Sequence, residues 1–282
     1  MPMTRRNFLR TSSAALAVAT FSPRLFAADD PKPGIRISSC VVGLKQAKQA
    51  GLDGVEVGVG GAEDKLQISK PEVRENYKKD MRETGLVISS FMMGLFNSDP
   101  LASDPRGPAW LEQSIDAAKD LGAKDILVAF FGRGSLGSRG NIKKADVDVV
   151  VERLKAAAPR AKEAGVRLCI ENELTAQQNA DILDRINSPA VTVYYDVGNI
   201  TNNGYDVPAE IRFLKDRISI FHFKDGGNYL GQGKVKYPEI AAAMKDINYQ
   251  GWIVMETSNP SRDGVADAKR NAEFIRKLLK LG

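Results

Sequence analysis

Between residues 35 and 279 the chain repeats one pattern eight times. A run of five or six residues rich in β-branched, aromatic or aliphatic side chains precedes a longer run with apolar residues at helical period. The spacing predicts strands at 35–39, 54–59, 87–92, 125–130, 166–171, 191–196, 218–223 and 252–256. It predicts helices at 42–50, 71–84, 108–121, 145–164, 176–186, 207–214, 238–247 and 263–279. Gly51, Gly85, Gly122 and Gly165 follow helical runs, where a left-handed residue closes the helix before the next strand. Strict alternation demands parallel strands joined by helical crossovers. Eight such units favour closure into a single (β/α)8 TIM barrel, with an open doubly wound sheet as the alternative. The expected domain is 30–282; the pattern recurs without any repeat of the sequence itself, and there is no Pro-, Gly- or Ser-rich linker. The 255 residues that follow Ala27 are close to the roughly 250 typical of such a barrel.

Barrel enzymes place their chemistry at the C-terminal ends of the strands, so the last residue of each run matters most. Strand 5 ends in Glu171, strand 6 in Asp196, strand 7 carries His222 and strand 8 ends in Glu256, at intervals of 25, 26 and 34 residues. Each interval is one strand–helix unit, and His222 is the only histidine in the chain. A single strand-end carboxylate reads as a solvated or ion-paired group, and a single histidine as a core residue. Four in phase on successive strands reverse that reading. Charges there are costly to bury without a compensating cation. Two Glu, one Asp and one neutral His suit Mn²⁺, Mg²⁺ or Co²⁺ and can accept Zn²⁺. Such an ion chelates adjacent carbonyl and hydroxyl oxygens of a sugar, stabilising the enediolate formed when an α-proton leaves.

Composition enters through charge. The chain is 43% hydrophobic and 27% charged, which excludes a disordered tail, and its two cysteines exclude a disulfide scaffold. The formal charge of +5 comes largely from Arg5, Arg6, Arg10 and Arg24. Without them, 36 basic residues face 35 acidic ones, which argues against nucleic acid as a partner. Those arginines precede or flank a short apolar stretch that ends near Ala27, the order of a secretory signal. Thr4-Arg5-Arg6-Asn7-Phe8-Leu9 resembles the twin-arginine signal of bacteria. The expectation is a leader over 1–27, recognition by the twin-arginine export machinery, and a periplasmic or secreted mature protein without a stable membrane anchor. Export after folding suits a protein that must be loaded with its cofactor first.

The segments Ile170-Glu171-Asn172, Asp196-Val197-Gly198-Asn199, His222-Phe223-Lys224-Asp225 and Met255-Glu256 resemble the sugar phosphate isomerase/epimerase-like, or xylose isomerase-like, barrels. Gly231-Gln232-Gly233-Lys234-Val235, before Pro238, and Gly251-Trp252 also look like the strand 7–8 connection of that family. The resemblance implies that Glu171, Asp196, His222 and Glu256 hold one divalent metal ion, Mn²⁺ foremost. It further implies that Glu171 and Glu256 form the acid–base pair of an isomerase or epimerase acting on a sugar or polyol ketone. Two readings stand beside it: a lyase or dehydratase on a keto-sugar, keto-glycoside or inosose, and a non-catalytic periplasmic carbohydrate-binding barrel. Oligomerisation is compatible with all three.

Two positions depart from the ketose 3-epimerases of that family. Asn199 stands three residues after the aspartate, where His is common, and Asn228 stands where an Arg is usual. One histidine cannot hold the three zinc ions of the family's endonucleases. Around the core set, Asn199, Lys224 and Glu56 are candidates for substrate binding. Lys224 alternatively pairs with Asp225 or Glu256, and Glu56 with a cation at the rim. Arg133 reads as a solvated loop charge or a carboxylate clamp, and Phe96, Trp110 and Tyr229 as packing or as sugar-ring platforms. Cys169 shares the parity of Glu171 and reads as a small core residue.

Overall fold

The structure, a computed structural model, describes residues 34–281; the leader expected over 1–27 lies outside them. Eight parallel strands form a closed barrel in sequence order. They are β1 (Ile35–Ser39), β2 (Gly54–Gly58), β3 (Val87–Met93), β4 (Asp125–Ala129), β5 (Arg167–Glu171), β6 (Val191–Asp196), β7 (Ile218–Phe223) and β8 (Gly251–Met255). Closure runs through β1 and β8, whose register pairs Ile37 with Ile253 and Ser39 with Met255. No residue of the ring is left as an open edge, which removes the alternative of an open sheet.

The helices are α1 (Leu44–Gln49), α2 (Pro71–Thr84), α3 (Gly107–Leu121), α4 (Lys144–Ala164), α5 (Ala176–Ile186), α6 (Val197–Asn202), α7 (Val207–Leu214), α8 (Tyr237–Asp246) and α9 (Gly264–Leu279). Strand alternation divides the apolar residues into two layers. Leu127, Ala129, Cys169, Tyr194, Ile220, Trp252 and Val254 pack together inside the barrel. Their neighbours, such as Phe221, Phe223, Val193 and Ile253, pack outward against the helices. The inner cluster forms a floor on which the strand ends stand. Phe96 and Trp110 are both fully buried, with Trp110 Nε1–H donating to Glu63 O at 2.7 Å, so both are packing residues. Among the described residues no helix is long and apolar enough to cross a membrane.

Two elements escape the periodicity. The short α6 starts directly after β6 because Asp196 Oδ1 accepts from the amides of Gly198 and Asn199, each at 2.8 Å. The Gly-rich segment after β4 contains a small antiparallel hairpin, Gly137–Ser138 against Asn141–Ile142. Its turn residues Arg139 and Gly140 have φ of 50° and 80°, the positive pair that a tight hairpin turn requires.

At the opposite end of the barrel, β4 and β5 are pinned by an ion pair. Arg167 Nε and Nη2 donate to the two oxygens of Asp125 at 2.7 and 2.8 Å, and Cys169 Sγ lies 3.3 Å from Oδ1. The Asp125 side chain is 1% exposed and that of Arg167 27%. Asp125→Ala strands the guanidinium in a low-dielectric site, a loss of about 3–5 kcal/mol when a partner of a buried pair is removed. Arg167 keeps some water, so the expected loss is near 3 kcal/mol. Urea unfolding of the variant checks it through a lowered midpoint at unchanged slope.

Candidate metal centre

Glu171, Asp196, His222 and Glu256 come together at the C-terminal mouth. One ligand atom from each lies within 4.8 Å of all the others. His222 Nδ1 is the common point: Glu171 Oε1 is 3.2 Å away, Glu256 Oε2 3.6 Å and Asp196 Oδ2 3.8 Å. Glu256 lies just beyond β8, and its amide donates to Phe223 O at 3.1 Å, which carries the strand pairing one residue further. Glu171, Asp196 and His222 are buried, whereas the Glu256 side chain keeps 35% exposure and faces the mouth.

The geometry of each donor is set beneath it. Glu56 is 3% exposed, inside the barrel rather than at its rim. Its Oε1 lies 3.0 Å from His222 Nε2, while its Oε2 accepts from Ser90 Oγ at 2.7 Å and from the Tyr194 hydroxyl at 2.8 Å. A carboxylate at Nε2 holds a proton there and directs Nδ1 towards the other three acids. Two register shifts aim this clamp. The β2–β3 register slips between Val55 and Glu56, and the β6–β7 register slips between Val193 and Tyr194. An irregularity of this kind re-aims a side chain next to a site.

Asp196 spends its two oxygens differently. Oδ1 caps α6, whereas the buried Oδ2 turns towards the Lys224 ammonium. Lys224 Nζ lies 2.8 Å from that Oδ2, an ion-pair distance without the alignment of a directed bond. The same ammonium donates to Glu256 Oε2 at 2.6 Å. Lys224 thus pairs with Glu256 and Asp196. Asp225 is engaged elsewhere: its carboxylate accepts from the amides of Gly231, Gly233 and Val235 at 2.9–3.1 Å and holds the loop that follows β7.

Electrostatics follow from this packing. Burial raises Glu171 to about 7 and also raises Asp196. Burial disfavours the His222 imidazolium, yet the Glu56 and Glu171 carboxylates outweigh it and hold the ring well above its usual value. Burial likewise opposes ionised Glu256, but His222 and Lys224 prevail and lower it. The arrangement is a concentrated negative charge that stabilises any cation placed in it.

The remaining candidates lie further out. Asn199 sits half-buried in the first turn of α6, and Asn228 is exposed on the β7 loop. Arg133 is exposed beside the hairpin. Tyr229 donates to Asp267 at 2.7 Å beneath the Arg270 guanidinium, a surface network. Cys169 is buried on the barrel floor. Sequence reasoning missed the apolar residues over that floor: Cys40, Met92 and Phe131 are partly buried against it. Their signal was parity, since Cys40 and Phe131 stand just past strands whose inward positions alternate.

The donor set fits a divalent cation on the chemistry of its atoms: three carboxylates and one imidazole nitrogen, with the other ring nitrogen held by Glu56. Known proteins share this frame. D-psicose 3-epimerase of Enterocloster bolteae (strain ATCC BAA-613) is 27% identical over 219 residues, covering 68% of this chain and 72% of that protein. L-ribulose-5-phosphate 3-epimerase UlaE of Escherichia coli (strain K12) is 23% identical over 265 residues, covering 85% and 90%. In fold, the D-allulose 3-epimerase of Methylomonas sp., solved with D-allulose, superposes with a TM-score of 0.71 at 19% identity over 87% of this chain and 98% of that one. Residues 44–278, which span the barrel from its first helix to its last, match the xylose isomerase-like TIM barrel family, and the chain belongs to it.

Proposed function

We propose that this chain is a divalent-metal-dependent isomerase or epimerase of a sugar or polyol ketone, exported through a twin-arginine leader over 1–27. Glu171, Asp196, His222 and Glu256 are its metal ligands, and Mn²⁺ is the ion proposed. The observation that carries the reading is the convergence of those four donor atoms, all within 4.8 Å of one another at the mouth of the barrel. Homology to sugar 3-epimerases supports it from a separate direction.

A divalent ion bound there would polarise the substrate carbonyl and so acidify the neighbouring C–H. The protein's own part is positioning and proton transfer. Glu171 and Glu256 rise from β5 and just past β8, three staves apart around the ring. They reach a planar intermediate from different sides, one removing a proton and the other returning it to the opposite face. Return at the same carbon gives epimerisation, and return at the neighbouring carbon gives aldose–ketose isomerisation. Lys224, and Asn199 at the start of α6, are the residues proposed to bind substrate oxygens.

Asn199 and Asn228, at the two positions that depart from ketose 3-epimerases, weigh against that subgroup in particular, and the second reading is loss of a β-hydroxyl in a dehydration. One experiment separates these. Purified protein is analysed for metal and then incubated in D₂O with Mn²⁺ and a panel of keto-sugars, keto-glycosides and inososes. Deuterium incorporation with unchanged substrate formula is expected. An unsaturated chromophore would identify the elimination. Absence of metal together with absence of exchange on every substrate would overturn both and leave a carbohydrate-binding barrel.

A further inference from the structure

Among the described residues, Lys224 is the one neighbour of the donor set that contributes a permanent positive charge. Its Nζ is 2.6 Å from Glu256 Oε2 and 2.8 Å from Asp196 Oδ2, so it touches two of the four ligand atoms directly. A lysine cannot be a ligand while charged, and its ammonium repels a second cation at the same oxygens. The position is also built for it. A Cβ at residue 198 would come within 2.5 Å of Lys224 Cγ, so Gly198 leaves the passage through which the lysine stem runs. Beneath it the backbone is fixed, because Tyr237 donates to Lys224 O at 2.9 Å and Asp225 is held by three amides. Only the side-chain torsions are left to change.

We propose that Lys224 is a built-in placeholder for the metal ion: it neutralises Asp196 and Glu256 when the site is empty, and it must withdraw from them when a divalent cation binds. The inference rests on the metal-site reading given above. Two carboxylates that would otherwise face each other and Glu171 with only His222 between them are held together by the ammonium, so the site stays folded before loading. The cost falls on affinity, since every ion that enters displaces a cation already in place. Lys224 is therefore a positioning residue that sets how tightly the metal is held.

The test is Mn²⁺ binding to the full protein by calorimetry at fixed pH and salt, comparing wild type with Lys224→Met. Thermal melts of both proteins are taken in EDTA and in Mn²⁺. Removal of the charge is expected to tighten Mn²⁺ binding about tenfold or more. It should also lower the midpoint in EDTA more than the midpoint in Mn²⁺, so that the rise on loading becomes larger. Wild type that binds Mn²⁺ while Lys224→Met binds it equally or more weakly overturns the inference and leaves the metal site standing. Failure of both proteins to bind overturns the metal-site reading and this inference with it. Should Lys224→Met not fold without metal, protein purified with Mn²⁺ is challenged with excess EDTA. Slower release from the variant is the expected result, and equal or faster release overturns the inference.

Discussion

Glu171→Gln is expected to slow turnover and deuterium exchange by about 10²–10⁴-fold, the usual range for loss of a positioned acid or base. Glutamine keeps the shape and the hydrogen-bonding reach of the side chain, so the floor of Leu127, Cys169 and Tyr194 beneath it is undisturbed. What disappears is the anionic oxygen 3.2 Å from His222 Nδ1, which is both a donor to the ion and the proposed proton acceptor. Measurement at saturating Mn²⁺ separates these two roles. Glu256→Gln gives the companion result: with one carboxylate left, the proton on its face still exchanges with solvent while inversion stops. NMR of the substrate in D₂O reads both quantities at once. Turnover within tenfold of wild type for Glu171→Gln would remove it from the chemistry.

Glu56→Gln touches no proposed ligand oxygen and is still expected to weaken Mn²⁺ binding about 10–100-fold, the customary cost of losing a partner behind a ligating histidine. The neutral amide no longer favours a proton on Nε2, and its own N–H groups meet the hydroxyls of Ser90 and Tyr194 where a carboxylate accepted from both. Nδ1 is then less available to the site. Metal titration followed by calorimetry checks the change, and Glu56→Asp should recover part of it. Unaltered affinity in Glu56→Gln would show that the ring is oriented by packing alone. The Tyr194 ring, centred 4.5 Å from the imidazole, is the group that would have to supply that packing.

The barrel was legible because its period is redundant. Eight strands and eight helices each repeat the same instruction, and an error of one residue at β2 or β8 leaves the topology intact. The four donors were legible for a related reason: each stands at or within one residue of a strand's C-terminal end, and the spacing between strands is fixed by the helix between them. Glu56 was placed at the correct strand but at the wrong depth. Its depth depends on the register slips at Glu56 and Tyr194, which arise between strands and leave no mark on the periodicity of either one. The short helix after Asp196 was hidden because it is started by the same carboxylate that faces the site. Of the partners of Lys224, Glu256 was among those expected, whereas Asp196 was not, since parity states which way a side chain points and not which of several acids it meets.

The carboxylate of Glu56 ties four staves together: its own strand, Ser90 on the third, Tyr194 on the sixth and His222 on the seventh. Every atom of the proposed donor set is encoded after residue 170, yet two members of the clamp that orients the imidazole are encoded before residue 91. A half-barrel carrying the later four strands alone, duplicated or grafted elsewhere, would retain all the liganding side chains and lose what aims one of them. Modular assembly of this centre requires both halves of the ring.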